Sequence, residues 1–401
     1  MNILLVTLAY PESETQTNLY TDLMSEFKKN GHDVTVVCQR EKRSNKPTEL
    51  VSHRSIPVLR VRTGNVTKTN MIEKGISTLR LENQFIKAIK SQLTNKRFDL
   101  VLYSTPPITF EKVIKYFKKT QYSTTYLLLK DIFPQNAVDI SIIKENSIIH
   151  KYFKKKEKAL YRISDFIGCM SEGNKNYLIE HNPEIDVNKI EVNPNTIIPT
   201  EIKNEEREGT VRKLYRIPDE ALLFIYGGNL GKPQGIDFLI KSLDQYKNQK
   251  DVYFLIVGSG TDFNKIQQYI ALNNPTNISL ETYMPKAQYN ELVKAADIGM
   301  IYLDERFTIP NIPSRLTAYM NSSKPVLAVT DMNTDLKEII KDAKCGYFSP
   351  AGNLELFKKT VETIKDERNL LHILGNNGRE YLEEHFHVSK TYEIIMKHFD
   401  R

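Results

Sequence analysis

Arg315 stands directly after Pro313 and Ser314, at the start of a predicted helix in "DERFTIPNIPSRLTAYMNSSKPVLAVTD" (304–331). A helix N-terminus gathers unpaired amides and about half a positive charge. A guanidinium adds a planar fork of donors that suits phosphate oxygens. Ser314 and Arg315 together would therefore seat an anion. The plainer alternative is that Ser314 only caps the helix and Arg315 pairs with a surface carboxylate. Two glycine turns in the same half of the chain favour the anion. In "YGGNLGKPQGIDFLI" (226–240), Gly227 and Gly228 permit close backbone approach, while Asn229, Lys232 and Gln234 put polar groups at a strand end. "VGSGTDFNKI" (257–266) is a second strand-to-helix glycine turn. Either turn alone could serve only helix–sheet packing. Converging with the Ser-Arg helix start at the strand ends of one sheet, they make phosphate the expected ligand. No GxGxxG follows the first strand and no GxxxxGK[ST] occurs, which leaves little support for a dinucleotide fold or a P-loop.

In the first half, Asp131 ends an apolar run in "LLLKDIFPQN". A carboxylate there could accept a hydrogen bond from a reacting hydroxyl or stabilise a developing cation. It could equally cap the turn after Pro134 or pair with Lys130. No protein nucleophile stands out. The eight histidines are dispersed, no His/Cys/Asp group has metal-ligand spacing, and a bound metal is not expected. Cys38, Cys169 and Cys345 form no CxxC pair and no disulfide framework, which fits a reducing cytoplasm.

These residues need elements to carry them. Apolar runs of strand type alternate with longer amphipathic segments along the whole chain, the pattern of stacked βα units and parallel sheets. "NILLVTL", "DVTVVCQ", "PVLRVR", "DLVLYST", "TTYLLLK" and "DFIGCM" are the strands expected in the first half. "ALLFIYGGN", "VYFLIVGSG", "DIGMIYL" and "KPVLAVT" are those of the second. Their continuous hydrophobicity implies sheets covered on both faces. "MIEKGISTLRLENQFIKAIKSQL" reads as the longest helix, and Ile236, Leu239, Ile240 and Leu243 form the stripe of another. His32 is expected to close a helix-to-strand turn. The polar segment 196–213 reads as a linker. The expected division is a first domain over 1–198, a second over 199–380, and a terminal helix over 381–401 that returns to the first.

At 401 residues the chain suits two ordinary domains, and 40% hydrophobic with 26% charged residues describes a soluble globular protein. The N-terminal apolar run is far shorter than the ~20 residues of a membrane span and reads as a strand. The net charge of +7 is uneven, with cations gathered in "KVIKYFKK" (112–119) and "HKYFKKKEKALYR" (150–162). They could simply face water. With Tyr152, Phe153, Leu160, Tyr161 and Ile163 interleaved, the second could also lie on anionic lipid. A nucleic-acid role lacks a recognised module.

The segments "YGGNLGKPQGIDFLI", "VGSG", "AADIGMIYL" and "IPSRLTAYMNSSKPVLAVTD", in that order, resemble the donor-binding half of GT-B retaining glycosyltransferases of family four. In the first half, "GHDVTVV", "SEGNKNYL" and "VNPNTI" fall where that family has its matching segments. "LYSTPP" followed by "LLLKDIFPQNAVD" resembles the branch that transfers N-acetyl-L-fucosamine in bacterial capsule and O-antigen assembly. The resemblance implies an α/β GT-B fold, two doubly wound Rossmann-like domains facing a cleft. It implies a hexosyltransferase-type enzyme using a UDP-sugar donor, no metal and no further cofactor. The acceptor would be a saccharide on undecaprenyl diphosphate, a polyprenyl-diphosphate carrier, in capsular polysaccharide or O-antigen biosynthesis. The enzyme would then be cytoplasmic and peripheral to the anionic inner face of the membrane, with no nucleic acid as partner.

Carried onto this chain, the resemblance implies that Gly228 and Asn229 approach the diphosphate and that Ser314 and Arg315 grip it. Lys232, Gln234 and Leu316 belong to the same donor site. Tyr283, Met284 and Pro285 would lie near the uracil. The loop Thr308–Pro313, Asn311 included, would face the sugar ring. Retention in this family is usually explained by front-face attack, the departing phosphate helping to deprotonate the acceptor. Three departures stand out. The usual Arg and Lys of the first glycine motif are Asn229 and Gln234. The paired glutamates of E-x7-E fall at about Pro310 and Ala318, with Glu305 out of register. The first loop, "AYPESETQTN", has none of the glycines common there. The rival readings are a non-hydrolysing UDP-sugar 2-epimerase, which would use carboxylates such as Asp131 and Glu305, and a family-four transferase with another donor sugar.

Overall fold

The computed structural model describes residues 1–67, 69–201 and 208–399. The chain divides into two compact units, residues 1–198 with 388–401, and residues 199–387. The expected break after residue 380 falls inside the helix Leu371–His385, so the second unit extends to 387.

The first unit holds an eight-stranded sheet of β1 (Asn2–Thr7), β2 (Asp33–Glu41), β3 (Glu49–His53), β4 (Ile56–Thr63), β5 (Leu100–Ser104), β6 (Thr124–Leu129), β7 (Phe166–Cys169) and β8 (Ile190–Val192). Its order is β3-β4-β2-β1-β5-β6-β7-β8, parallel apart from the antiparallel edge strand β3. Central strands such as β1 and β5 are buried almost throughout, as their unbroken apolar runs require. Helices Met71–Gln92, Glu111–Gln121 and Ile148–Ile163 cross between β4, β5, β6 and β7, so right-handed crossovers set them side by side on one face. Helices Leu19–Lys29 and Val388–Met396 pack against each other elsewhere on the same unit. Phe27 meets Tyr392 edge-on there, and the His32 ring that follows the helix lies 3.1 Å from the Tyr392 hydroxyl.

The second unit holds a six-stranded parallel sheet of β9 (Leu222–Asn229), β10 (Val252–Ser259), β11 (Ile278–Glu281), β12 (Ile298–Tyr302), β13 (Val326–Thr330) and β14 (Gly346–Pro350). Its order, β11-β10-β9-β12-β13-β14, is that of a Rossmann sheet. The stripe on helix Ile236–Asp244 behaves as its spacing predicts: Ile236, Leu239 and Leu243 are buried in the core with Phe224, Phe254 and Met300.

Three readings need correction. The linker is shorter than 196–213. Thr196 bonds Thr391 at 2.8 Å, the Ile198 amide donates to Asp22, and Glu208–Tyr215 is helical, while 202–207 lie outside the described residues. The C-terminal segment is two helices, Leu371–His385 and Val388–Met396, because the chain crosses units at 387/388, where the Val388 amide donates to Ile197 O. In the lysine-rich helix, Leu160 and Tyr161 are core residues and the Phe153 ring packs against Phe133, so these three cannot face lipid. Among the described residues, no helix is long and apolar enough to cross a membrane.

Candidate active site

The C-terminal end of the second sheet is built from glycines that make room for side chains. Gly228 and Gly258 are register partners on β9 and β10, and a Cβ on Gly258 would lie 2.0 Å from the Gly228 carbonyl oxygen. Gly228 has φ +129°, a left-handed value that favours glycine, and a Cβ there would stand 2.7 Å from Nη2 of Arg315. The guanidinium therefore lies directly over the Gly228 backbone. Its Cζ is 4.6 Å from the centre of the Tyr226 ring, a cation–π geometry. Tyr289 and Tyr319, whose hydroxyls are 3.3 Å apart, are also among its neighbours. A Cβ on Gly227 would strike Tyr289 at 2.0 Å, and one on Gly299 would strike the Tyr319 ring at 2.4 Å.

Within this tyrosine setting Nη1 of Arg315 is buried and has no hydrogen-bond partner. Among the described residues Arg315 forms no ion pair. A buried guanidinium nitrogen left unsatisfied is costly, and the cost is recovered only when an acceptor arrives. Ser314 precedes the helix Arg315–Asn321 in a helical backbone conformation and its side chain caps nothing. Neither half of the plain reading, a capping serine or a surface-paired arginine, describes this geometry.

The remaining expected donor residues differ in what they can offer. Asn229 Nδ2 donates to Gln234 Oε1 at 2.5 Å, so these two side-chain amides are joined to each other. Lys232 is exposed and, among the described residues, unpaired. Tyr283 is exposed and Met284 half-buried, and Pro285 opens the helix Lys286–Ala295 that carries Tyr289 over Gly227. Asn311 is held through its carbonyl by the Thr334 hydroxyl at 2.6 Å. Leu316 is fully buried and its amide donates to Pro313 O. Pro310 is buried and Ala318 exposed, and neither supplies a carboxylate. The Glu305 carboxylate lies over Gly352, and Asp304 is chelated by its own loop's Arg306 at 2.7 and 2.9 Å.

Sequence reasoning did not single out the three tyrosines. Tyr226 adjoins the glycine pair, and Tyr319 lies one helical turn after Arg315, a spacing that signals a shared face. Tyr289 carries no such signal, since only the fold brings it to Gly227.

In the first unit, three sequence motifs meet at the C-terminal ends of β5 and β6. The Thr105 hydroxyl of "LYSTPP" accepts from the amides of Lys130 (3.0 Å) and Asp131 (3.2 Å) and donates to the Asp131 carbonyl (3.1 Å). Lys130 Nζ donates to the carbonyls of Asn193 and Pro194 in "VNPNTI", 3.1 Å each. Burial lowers its pKa to about 7. Among the described residues Asp131 forms no ion pair, and Pro134 is the N-cap of the following helix Gln135–Asp139. Its carboxylate accepts both contacts from Asn136 Nδ2, at 2.7 and 2.8 Å. Burial pushes its pKa up to about 6, against the hydrogen bonds from Asn136 and the Ile132 amide. It is thus a carboxyl tuned toward neutrality. Among the described residues, no three His, Cys, Asp or Glu side chains are grouped to hold a metal ion.

Known proteins give this geometry a class. Residues 208–381 match the family model "Glycosyl transferases group 1". The "Probable glycosyltransferase WbjE" of Pseudomonas aeruginosa is 22% identical over 324 residues, 80% of this chain and 78% of that one. An uncharacterized glycosyltransferase of Methanocaldococcus jannaschii is 24% identical over 64% of each chain. Among solved structures, sucrose-phosphate synthase from Thermosynechococcus elongatus superposes with a TM-score of 0.77 at 14% identity, covering 99% and 98% of the two chains. The Anabaena protein HepE, solved in complex with UDP-glucose, superposes with a TM-score of 0.72 at 13% identity over 100% and 99%. The fold is GT-B. The class of activity is glycosyl transfer.

Proposed function

We propose that this protein moves a sugar, N-acetyl-L-fucosamine as the first candidate, from a UDP-sugar to a saccharide on undecaprenyl diphosphate in capsular polysaccharide or O-antigen biosynthesis. The observation that carries the donor half of this reading is the buried, partnerless Nη1 of Arg315, whose Nη2 lies over Gly228. A diphosphate supplies the acceptor that this nitrogen lacks. The UDP-glucose held by HepE, a protein of like fold, supports uridine as the base. The "LYSTPP" and "KDIFPQNAVD" segments, joined through Thr105 and Asp131, support the choice of branch.

Transfer requires the leaving diphosphate to be stabilised while the anomeric carbon gains positive charge. Arg315, with Lys232 at the same strand end, supplies fixed positive charge to the leaving group, and no metal is assigned a role. Asp131 stabilises the positive charge growing at the anomeric carbon as its bond to the diphosphate breaks. The departing diphosphate takes the proton of the acceptor hydroxyl, whose oxygen bonds that carbon with retention. The basic helices of the first unit would hold the enzyme at the anionic inner face of the membrane. A screen of UDP-sugars, UDP-N-acetyl-L-fucosamine included, for thermal stabilisation and for transfer to a lipid-linked monosaccharide tests the assignment. Stabilisation by UDP-sugars with transfer is expected, and turnover of the UDP-sugar without any acceptor would indicate an epimerase instead.

A further inference from the structure

Helix Ile148–Ile163 presents to solvent a face that a water-soluble surface does not explain. Ile148 is 88% exposed, Ile149 58% and Tyr152 38%, and Ile142 in the preceding loop is 48% exposed. Successive residues turn by about 100° around a helix, so Ile148, Tyr152 and Lys155 form one stripe with Ile149 and Lys151 on its flanks. The buried Glu157, Leu160 and Tyr161 lie on the opposite side, and fix this stripe as the outward one. The first turn is rigidly made, for the Ser147 hydroxyl accepts from the His150 amide at 3.2 Å.

The charges divide in the same way. Lys154, Lys156 and Lys158 are paired along the helix or with neighbouring segments, to Glu157 (2.7 Å), Glu111 (3.4 Å) and Glu184 (3.0 Å). Lys144, Lys151 and Lys155 are exposed and, among the described residues, form no ion pair. The patch thus combines projecting isoleucines with free ammonium groups, and Glu145 is the acid in its loop. Exposed apolar side chains ringed by lysines match one chemistry in particular, the boundary between anionic headgroups and acyl chains.

We infer that Ile142, Ile148 and Ile149 insert into the headgroup layer of an anionic phospholipid bilayer, with Lys144, Lys151 and Lys155 pairing with its phosphates. This rests on the membrane-bound acceptor proposed above only for its biological purpose, since lipid contact is measured without donor or acceptor. It also reassigns the contact from the apolar residues of the helix body, which the core consumes, to the loop and first turn.

The full chain is sedimented with vesicles of phosphatidylcholine alone or of equal parts phosphatidylcholine and phosphatidylglycerol. Binding to the mixed vesicles, lost at high salt, is expected. Ile148→Glu/Ile149→Glu should abolish it, and Lys151→Glu/Lys155→Glu should weaken it about tenfold or more, each with an unchanged melting temperature. Transfer to a water-soluble saccharide should be unaffected by either pair. Vesicle binding that survives the isoleucine substitutions would overturn the inference. So would absent binding by the unsubstituted chain, including the case where the patch instead mediates self-association seen by sedimentation velocity. Vesicle binding through the isoleucines without any transfer to lipid-linked saccharides would leave the inference standing and remove the acceptor reading alone.

Discussion

The C-terminal strand ends of the two sheets solve opposite problems. At β9 and β10 a permanently charged group, Arg315, is held against a tyrosine ring with one buried nitrogen left without a partner. At β5 and β6 a titratable group, Asp131, has its hydrogen bonds satisfied by Asn136 and is instead moved toward pH 6 by burial. The first arrangement stores an unmet demand for an anion. The second stores a proton equilibrium. Under the proposed function, Arg315 would neutralise charge on the leaving group and Asp131 would stabilise the positive charge growing on the sugar.

Substitutions at each end should therefore separate binding from turnover. The largest effect is expected for Arg315→Ala, which should weaken UDP binding by ~1.5–3 kcal/mol, the range for hydrogen bonds to charged groups. Calorimetry that finds no loss would remove the anion seat. Asp131→Asn should lower turnover about tenfold or more while the Kd for UDP stays unchanged. The same variant should erase an acidic limb: with a pKa of about 6, the carboxylate needed for activity is lost as pH falls through that value. A variant retaining both rate and limb would return Asp131 to a structural role.

A smaller loss is expected for Gly228→Ala. The added Cβ meets the far end of the Arg315 side chain at 2.7 Å, so the guanidinium rather than the strand should shift, weakening UDP by ~1 kcal/mol at a φ that disfavours alanine. Unaltered UDP affinity would show that the guanidinium position over Gly228 does not matter. The smallest effect concerns stability. Because burial raises Asp131 from its usual 3.8 to about 6, its ionised form opposes folding above that pH, and the penalty fades as pH falls toward 3.8. Asp131→Asn should therefore melt at an equal or higher temperature than the parent near pH 8, with the gap narrowing in acid. A lower melting temperature at alkaline pH would contradict the assigned cause of the shift.

Much of the architecture is readable from hydrophobic patterning, with an instructive gap. The ten strands expected from continuous apolar runs all occur. The four not anticipated, β3, β8, β11 and β14, are the edge strands of the two sheets. Edge strands are covered incompletely, so β3 alternates between half-buried and exposed residues and β14 is largely half-buried, and neither needs an unbroken apolar run. The site shows the same division. Glycine pairs and an arginine at a helix start are visible in one dimension, whereas the enclosing Tyr289 comes from a helix about sixty residues beyond Gly227 and has no local marker.

Residue types and spacing alone determined two α/β halves, an arginine at a helix start after two glycine turns, and a carboxylate ending an apolar strand in "KDIFPQN". These depend on local propensity and periodicity, which neighbouring residues encode. Only the tertiary structure decided that Nη1 of Arg315 lacks a hydrogen-bond partner, that Asn229 donates to Gln234, and that Thr105 and Asn136 hold Asp131. It also decided which apolar residues of the lysine-rich helix the core consumes and which it leaves in water. Partnership and burial depend on what distant segments bring into contact, and a linear pattern carries no record of that.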